Sequence, residues 1–236
     1  MYEELLLSDI ILSDIILSVV LFSEIKEFPM DEFAKKIRLH KPGICKENIY
    51  NYFSILIPII QANTKKTDLY DCSLLFEVRS KSLNRQPGEI CFPGGKIENH
   101  ETGIEAAVRE TSEELMLEST SINVIGELDT IVTPFNTIIS TYVGIVEEYE
   151  YTFNSCEVQE IFSVPVKHFI ETKPLCSNVK VIMKPGFDFP YHLIQNGVNY
   201  SWAEGIYPVY FYKYENRIIW GITARIIYSL VEILKS

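Results

Sequence analysis

Residues 92–117 constrain this chain more than any other stretch. Phe92-Pro93-Gly94-Gly95 interrupts any regular element, because proline lacks a donor and glycine frees the backbone. Shortly after it, Thr102-x-x-Glu105 forms a capping box, which fixes where a helix begins. Laid out at about 100° per residue, Ile104, Ala107, Val108, Thr111 and Leu115 gather on one side of that helix. This is a stripe that needs a partner surface. Glu110, Glu113 and Glu114 gather on a different side. The helix is therefore expected over Ile104–Leu117, docked on a core and carrying an acidic face.

Three glutamates at such spacing repel one another by a few tenths of a kcal/mol per pair, about 0.2–0.5. On its own the run also describes a solvated acidic face. A hard divalent cation would offset the repulsion, since Mg²⁺ and Mn²⁺ prefer carboxylate oxygen. Arg109 could hold the Glu110 carboxylate by a charge-assisted bond.

The rest of the chain alternates in type, as a mixed α/β or α+β domain should. A short helix is expected over Asp31–Leu39. Strands are expected over Tyr50–Ile60, Leu69–Arg79, Ile122–Val132, Ile138–Val146 and Val158–Val164. Pro165 should open a short helix at its first position. Residues 176–213 read as short strand-like pieces rich in Tyr and Phe. Arg217–Leu234 should close the chain as an amphipathic helix, with Ile218, Ile222, Ile226 and Leu230 spaced by four. No Ser- or Gly-rich linker divides 30–236, which predicts one domain there.

Residues 7–21 repeat a pentad, Leu-Ser-Asp-Ile-Ile twice and then Leu-Ser-Val-Val-Leu. A period of five presents no constant apolar face to a helix or a strand. The acidic start, Met1-Tyr2-Glu3-Glu4, is unlike the basic beginning of a signal peptide. Asp14 would be costly at the centre of a membrane span. Residues 1–29 are expected to be a low-complexity apolar extension outside the fold, and Met30-Asp31-Glu32-Phe33 reads as a natural beginning.

At 47% hydrophobic and 22% charged residues, intrinsic disorder is excluded. The net charge of −11 disfavours nucleic acid and anionic membranes as partners. That charge is local. One basic residue against six acids in 1–29, and two against seven in 96–118, account for all but one unit of it. Cys45, Cys72, Cys91, Cys156 and Cys176 are odd in number and form no C-x-x-C pair, which predicts reduced thiols in a cytoplasmic protein. His40, His100, His168 and His192 show no ligand spacing.

Gly95, Glu101, Arg109-Glu110, Glu113-Glu114 and Leu117 stand at the positions of the Nudix box, G-x5-E-x7-R-E-U-x-E-E-x-G-U with U aliphatic, and the stretch resembles it. The resemblance implies an α/β/α sandwich with a mixed sheet that hydrolyses a nucleoside diphosphate linked to another group, using Mg²⁺ or Mn²⁺. It makes Glu110, Glu113 and Glu114 metal ligands, with Arg109 orienting Glu110. Glu101 becomes an outer ligand or a stabiliser of the helix start, and the Gly94 carbonyl a further ligand. The general base is then Glu110 or a glutamate from a distant loop. Two positions depart from the box. Thr111 stands for an aliphatic residue, and its hydroxyl could bond to the Ala107 carbonyl. Met116 stands for glycine. A left-handed methionine costs about 1 kcal/mol, which leaves open a helix that runs on.

Upstream, Leu74–Gly95 resembles the extra motif of the coenzyme A diphosphatase subfamily, roughly L-L-T-x-R-S-x3-R-x3-G-x3-F-P-G-G. Arg79-Ser80, Gly88 and Phe92–Gly95 fit it, whereas Asn84 falls where the second arginine belongs, with Arg85 next to it. The resemblance makes Arg79, Asn84, Arg85, Gly88 and Phe92 the substrate-binding set. Guanidinium suits the 3′-phosphate of coenzyme A, and six basic residues lie between Lys65 and Lys96. Glu157-Val158-Gln159-Glu160 and Trp220–Ala224 are similar to later segments of that subfamily. They offer Glu157 and Glu160 as base or ligand, with Glu160 taken as catalytic. The implied reaction cleaves coenzyme A or its thioesters to 3′,5′-ADP and (acyl-)4′-phosphopantetheine, in a monomer or homodimer with a small-molecule nucleotide as its partner. Hydrolysis of ADP-ribose or NADH, and a non-catalytic nucleotide sensor, are the alternatives.

Overall fold

The computed structural model describes residues 30–40, 49–61, 72–147 and 149–236, so the pentad extension, Lys65, Lys66 and residues 69–71 lie outside the described residues. The chain divides after Glu47 into two units. In the first, α1 (Met30–Leu39) is the expected short helix, with Lys36 and Glu32 paired one turn apart at 3.3 Å.

The second unit is built on a mixed sheet. Its strands are β1 (Asn51–Gln61), β2 (Cys72–Arg79), β3 (Ile90–Cys91), β4 (Gly94–Lys96), β5 (Ile122–Thr133), β6 (Thr137–Val146) and β7 (Val158–Pro165). The order is β3-β2-β1-β6-β5, with β4 beside β1 and β7 beside β2. Only β1 and β6 run parallel among these pairs. Successive side chains of a strand point to opposite faces, so each buried strand needs cover on both. Leu56 of β1 and Tyr142 of β6 pack with Ala107 of α2 (Gly103–Leu115). Ile57, Phe76 and Val143 face the other way, into a core closed by Phe169 of α3 (Val166–Glu171) and by Ala224, Ile227 and Leu230 of α4 (Gly221–Lys235). Helices thus cover both faces of a mixed α+β sheet.

A second, three-stranded sheet runs β10-β9-β8, from β8 (Leu175–Ile182), β9 (Glu204–Tyr214) and β10 (Arg217–Trp220). The short pieces expected over 176–213 are two strands, β8 and β9, joined by a loop over 183–203 that carries single turns at Tyr191–Leu193 and Gly197–Asn199. The closing helix begins four residues later than its spacing predicts. Gly221 takes φ 67°, and Arg217–Trp220 pairs with Tyr214–Phe211 as a strand instead. There the strand period buries Ile219 and exposes Ile218. Pro165 ends β7 and is the N-cap of α3, one position before the first helical residue, its expected place.

Candidate active site

The helix start is where the capping box puts it. The Thr102 N–H donates to Glu105 Oε2 at 2.7 Å, and the Glu105 N–H returns to Thr102 Oγ1 at 3.4 Å. Thr111, fully buried, donates its hydroxyl to the Ala107 carbonyl at 2.7 Å. The helix does not run on. Met116 adopts φ 53° and ψ 48°, and its N–H closes on the Ser112 carbonyl in a left-handed cap. The stripe is also rotated from its expected line: Ile104 is 41% exposed, whereas Ala106 and Glu114 are buried.

The two glycines before the helix serve different ends. Gly94 has φ 156°, and a β-carbon on it would stand 2.4 Å from the Ser54 carbonyl oxygen of β1. At Gly95 a β-carbon would stand 2.1 Å from Glu110 Oε1. The missing side chain at Gly95 is the space that the Glu110 carboxylate fills.

Arg109 gathers the acids of the box. Its Nε and Nη2 donate to the two oxygens of Glu101 at 3.1 and 2.8 Å, its Nη1 to Glu110 Oε1 at 2.9 Å and to Glu113 Oε2 at 3.3 Å. Glu101 also accepts the Glu98 N–H at 2.6 Å. Arg109 and then that backbone donor hold the Glu101 carboxyl down at about 2, and Glu101 in turn raises Arg109 further. Burial outweighs Arg109 at Glu110, whose carboxyl is pushed up.

Glu114 departs from the expected acidic face. It is 4% exposed and accepts the Gly94 N–H on Oε2 at 2.9 Å. Burial, and then the charge of Glu77, push its carboxyl up to about 9. Glu77, on β2, was not foreseen in the sequence. It is 1% exposed, Oε1 accepts the Cys91 thiol at 3.1 Å, and among the described residues Oε2 has no hydrogen-bond partner. Burial raises it to about 7. The segment after β6 closes over the end of α2, where the Asn154 N–H bonds the Glu114 carbonyl and Thr152 Oγ1 the Leu115 carbonyl. It carries Glu157, whose charge reaches Glu77, Glu110 and Glu114. Among the described residues no three carboxylate, thiol or imidazole groups form a ready cage for an ion. The donor set nonetheless suits a hard divalent cation: all oxygen, two members buried and raised by burial, Glu114 by the charge of Glu77 as well, and one oxygen without a partner among the described residues.

The upstream residues divide. Arg79 ends β2 at a bulge, and its Nε donates to the Arg85 carbonyl at 3.4 Å. Gly88, with φ 75°, returns its N–H to the Arg79 carbonyl at 3.0 Å, so the loop of exposed Asn84 and Arg85 folds back beside Arg79. Phe92 does not join them. It is 3% exposed and stacks on Phe76 at 4.6 Å in the core beneath α4, out of reach of a ligand. Nor does Glu160 join the carboxylates. It pairs across from Val78, on the face of Phe76 and Phe162, and Arg217 holds it at 2.6 Å. Side-chain alternation puts that face opposite Glu77 and Glu114. Glu77 did leave a signal, as one acid within the apolar run Leu74-Leu75-Phe76-Glu77-Val78.

Known proteins share this arrangement of sequence. The NUDIX domain family matches residues 57–182. A mouse protein named peroxisomal coenzyme A diphosphatase NUDT7 is 36% identical over 157 residues, covering 64% of this chain and 63% of its own length. An Escherichia coli protein named uncharacterized Nudix hydrolase NudL, from strain IAI39, is 26% identical over 210 residues, covering 88% of this chain and 95% of its own. A crystal structure of a MutT/nudix family protein from Enterococcus faecalis overlaps 89% of this chain and 71% of its own, with a TM-score of 0.46 and 11% identity. Among the described residues no helix is long and apolar enough to cross a membrane. On the family match, and on Gly95, Glu101, Arg109 and the glutamates that it spans, the chain belongs to the NUDIX domain family.

Proposed function

We propose that the protein hydrolyses the diphosphate of coenzyme A or of its thioesters, giving 3′,5′-ADP and (acyl-)4′-phosphopantetheine, with Mg²⁺ or Mn²⁺ bound. The observation that carries the reading is the Arg109 network set against Gly95, because it aims a fixed Glu110 at the loop where a diphosphate would lie. In this reading Glu110, Glu113 and Glu114 hold the cation, with the Gly94 carbonyl as a further ligand. Glu101 fixes Arg109, and Arg109 fixes Glu110. A bound divalent cation screens the diphosphate charge and acidifies the attacking water. Glu110 accepts the water's proton, the water oxygen bonds to phosphorus, and the bridging P–O bond breaks. Glu160, turned away with Arg217, takes no part.

Arg79 and Arg85 supply guanidinium for the 3′-phosphate, with Gly88 closing the turn that keeps them together. The name of the mouse relative supports this substrate class. Asn84, at the place of an arginine in the subfamily motif, favours a second reading, in which ADP-ribose is the substrate. We further propose that the protein is cytoplasmic, in line with the unbridged thiols of Cys91, Cys156 and Cys176. The full chain incubated with coenzyme A, dephospho-coenzyme A and ADP-ribose, with Mg²⁺ or Mn²⁺, tests the reading. Coenzyme A should turn over fastest; faster ADP-ribose turnover supports the second reading, and no turnover of any supports a sensor.

A further inference from the structure

Glu77 is a carboxylate in a strand that otherwise buries apolar side chains, among them Leu74, Leu75 and Phe76. The other acids around Arg109 and Gly94 are each committed to a donor: Glu101, Glu110 and Glu113 to Arg109, and Glu114 to the Gly94 N–H. Glu77 Oε1 accepts the Cys91 thiol, and Oε2 meets no donor among the described residues. A carboxylate oxygen taken out of water without a partner is costly unless something positive meets it. Arg79 is the cation acting on it, yet the Arg79 Nε is directed to the Arg85 carbonyl. The charges that Glu77 senses otherwise are those of Glu157 and Glu110, and its own charge is the strongest acting on Glu114. The side chain thus belongs to the carboxylate group, on the α2 side of the sheet. Where the subfamily motif quoted above has threonine, this chain has Glu77, so the additional charge is a property of this sequence.

We propose that Glu77 joins Glu110, Glu113 and Glu114 in holding the divalent cation, through the carboxylate oxygen that has no partner. The inference rests on the reading that those glutamates bind a cation. Affinity at an all-oxygen site rises with the number of charged ligands, so a fourth carboxylate tightens binding.

The test is Mn²⁺ alone, titrated into the full chain without substrate, with free Mn²⁺ followed by electron paramagnetic resonance. Glu77→Gln and Glu77→Thr should each weaken Mn²⁺ binding by about 10–100-fold. Both should keep the circular dichroism of the wild type, and a metal-free melting temperature at pH 8 no lower than its own, since each removes a buried charge. Wild-type affinity in the two variants would overturn the inference, while loss of binding in Glu110→Gln would still uphold the cation reading. No Mn²⁺ binding by the wild type would overturn both.

Discussion

The Glu110 carboxylate occupies the space that a side chain at residue 95 would need, 2.1 Å from where a Gly95 β-carbon would stand. A methyl group there and the observed Glu110 position are mutually exclusive. Gly95→Ala should therefore lower kcat for coenzyme A by about 10²-fold, the cost of a misplacement near 1 Å. Far-ultraviolet circular dichroism should not change. Wild-type kcat in this variant would show that Glu110 need not sit there.

Arg109 reaches Glu101, Glu110 and Glu113 with one planar fork. Lysine keeps the charge but has no such fork. Arg109→Lys should cost about 10–100-fold in kcat/KM, the usual effect of losing a group that orients a ligand. Steady-state kinetics that show less than a twofold loss would mean that charge alone suffices.

Metal-free stability should fall as pH rises. Glu77 and Glu114 carry folded pKa values of about 7 and about 9, above the ordinary 4.5, so the folded state binds more protons than the unfolded state between those limits. Their contribution is whole below about 4.5 and is lost as pH climbs through 7 and then 9. Glu101, held at about 2, acts in the opposite sense but only below 4.5. In chelator, the melting temperature should drop by at least about 3 °C from pH 5 to pH 9, the equivalent of about 1 kcal/mol at this chain length. Mg²⁺ or Mn²⁺ should restore it, and a melting temperature that rises across that range would contradict the account.

Phe92 should act on stability rather than on recognition. Stacked on Phe76 in the core, it should cost about 3–5 kcal/mol when replaced by alanine, read by chemical denaturation. Phe92→Leu should leave KM for coenzyme A within about twofold, as expected of a well-tolerated hydrophobic swap outside the site. A selective rise in KM without lost stability would return Phe92 to the substrate.

These cases show where the sequence was legible. Local chemistry was: the capping box, the Thr111 hydroxyl bond and the pairing of Arg109 with Glu110 all follow from residues within one or two turns. Long-range pairing was not. Phe92 matches the subfamily motif, yet it stacks on Phe76 once β2 and β3 pair. Glu114, on α2, is buried where the Gly94 N–H of β4 meets its carboxylate, a contact twenty residues away in the chain. Glu157 and Glu160 lie three residues apart and read alike in sequence, but strand register sends Glu160 to Arg217 on the far face. Met116 could be foreseen only as an open choice, because packing over the helix end decides whether the cost of a left-handed residue is met.

The most direct test compares the full chain with Glu110→Gln on coenzyme A in Mg²⁺, with products identified by mass spectrometry. The account predicts 3′,5′-ADP and 4′-phosphopantetheine from the wild type. Glu110→Gln should be slower by about 10³-fold, within the range for losing a positioned general base, with an unchanged circular dichroism spectrum. A variant as fast as the wild type, or a wild type that forms no 3′,5′-ADP, would contradict it.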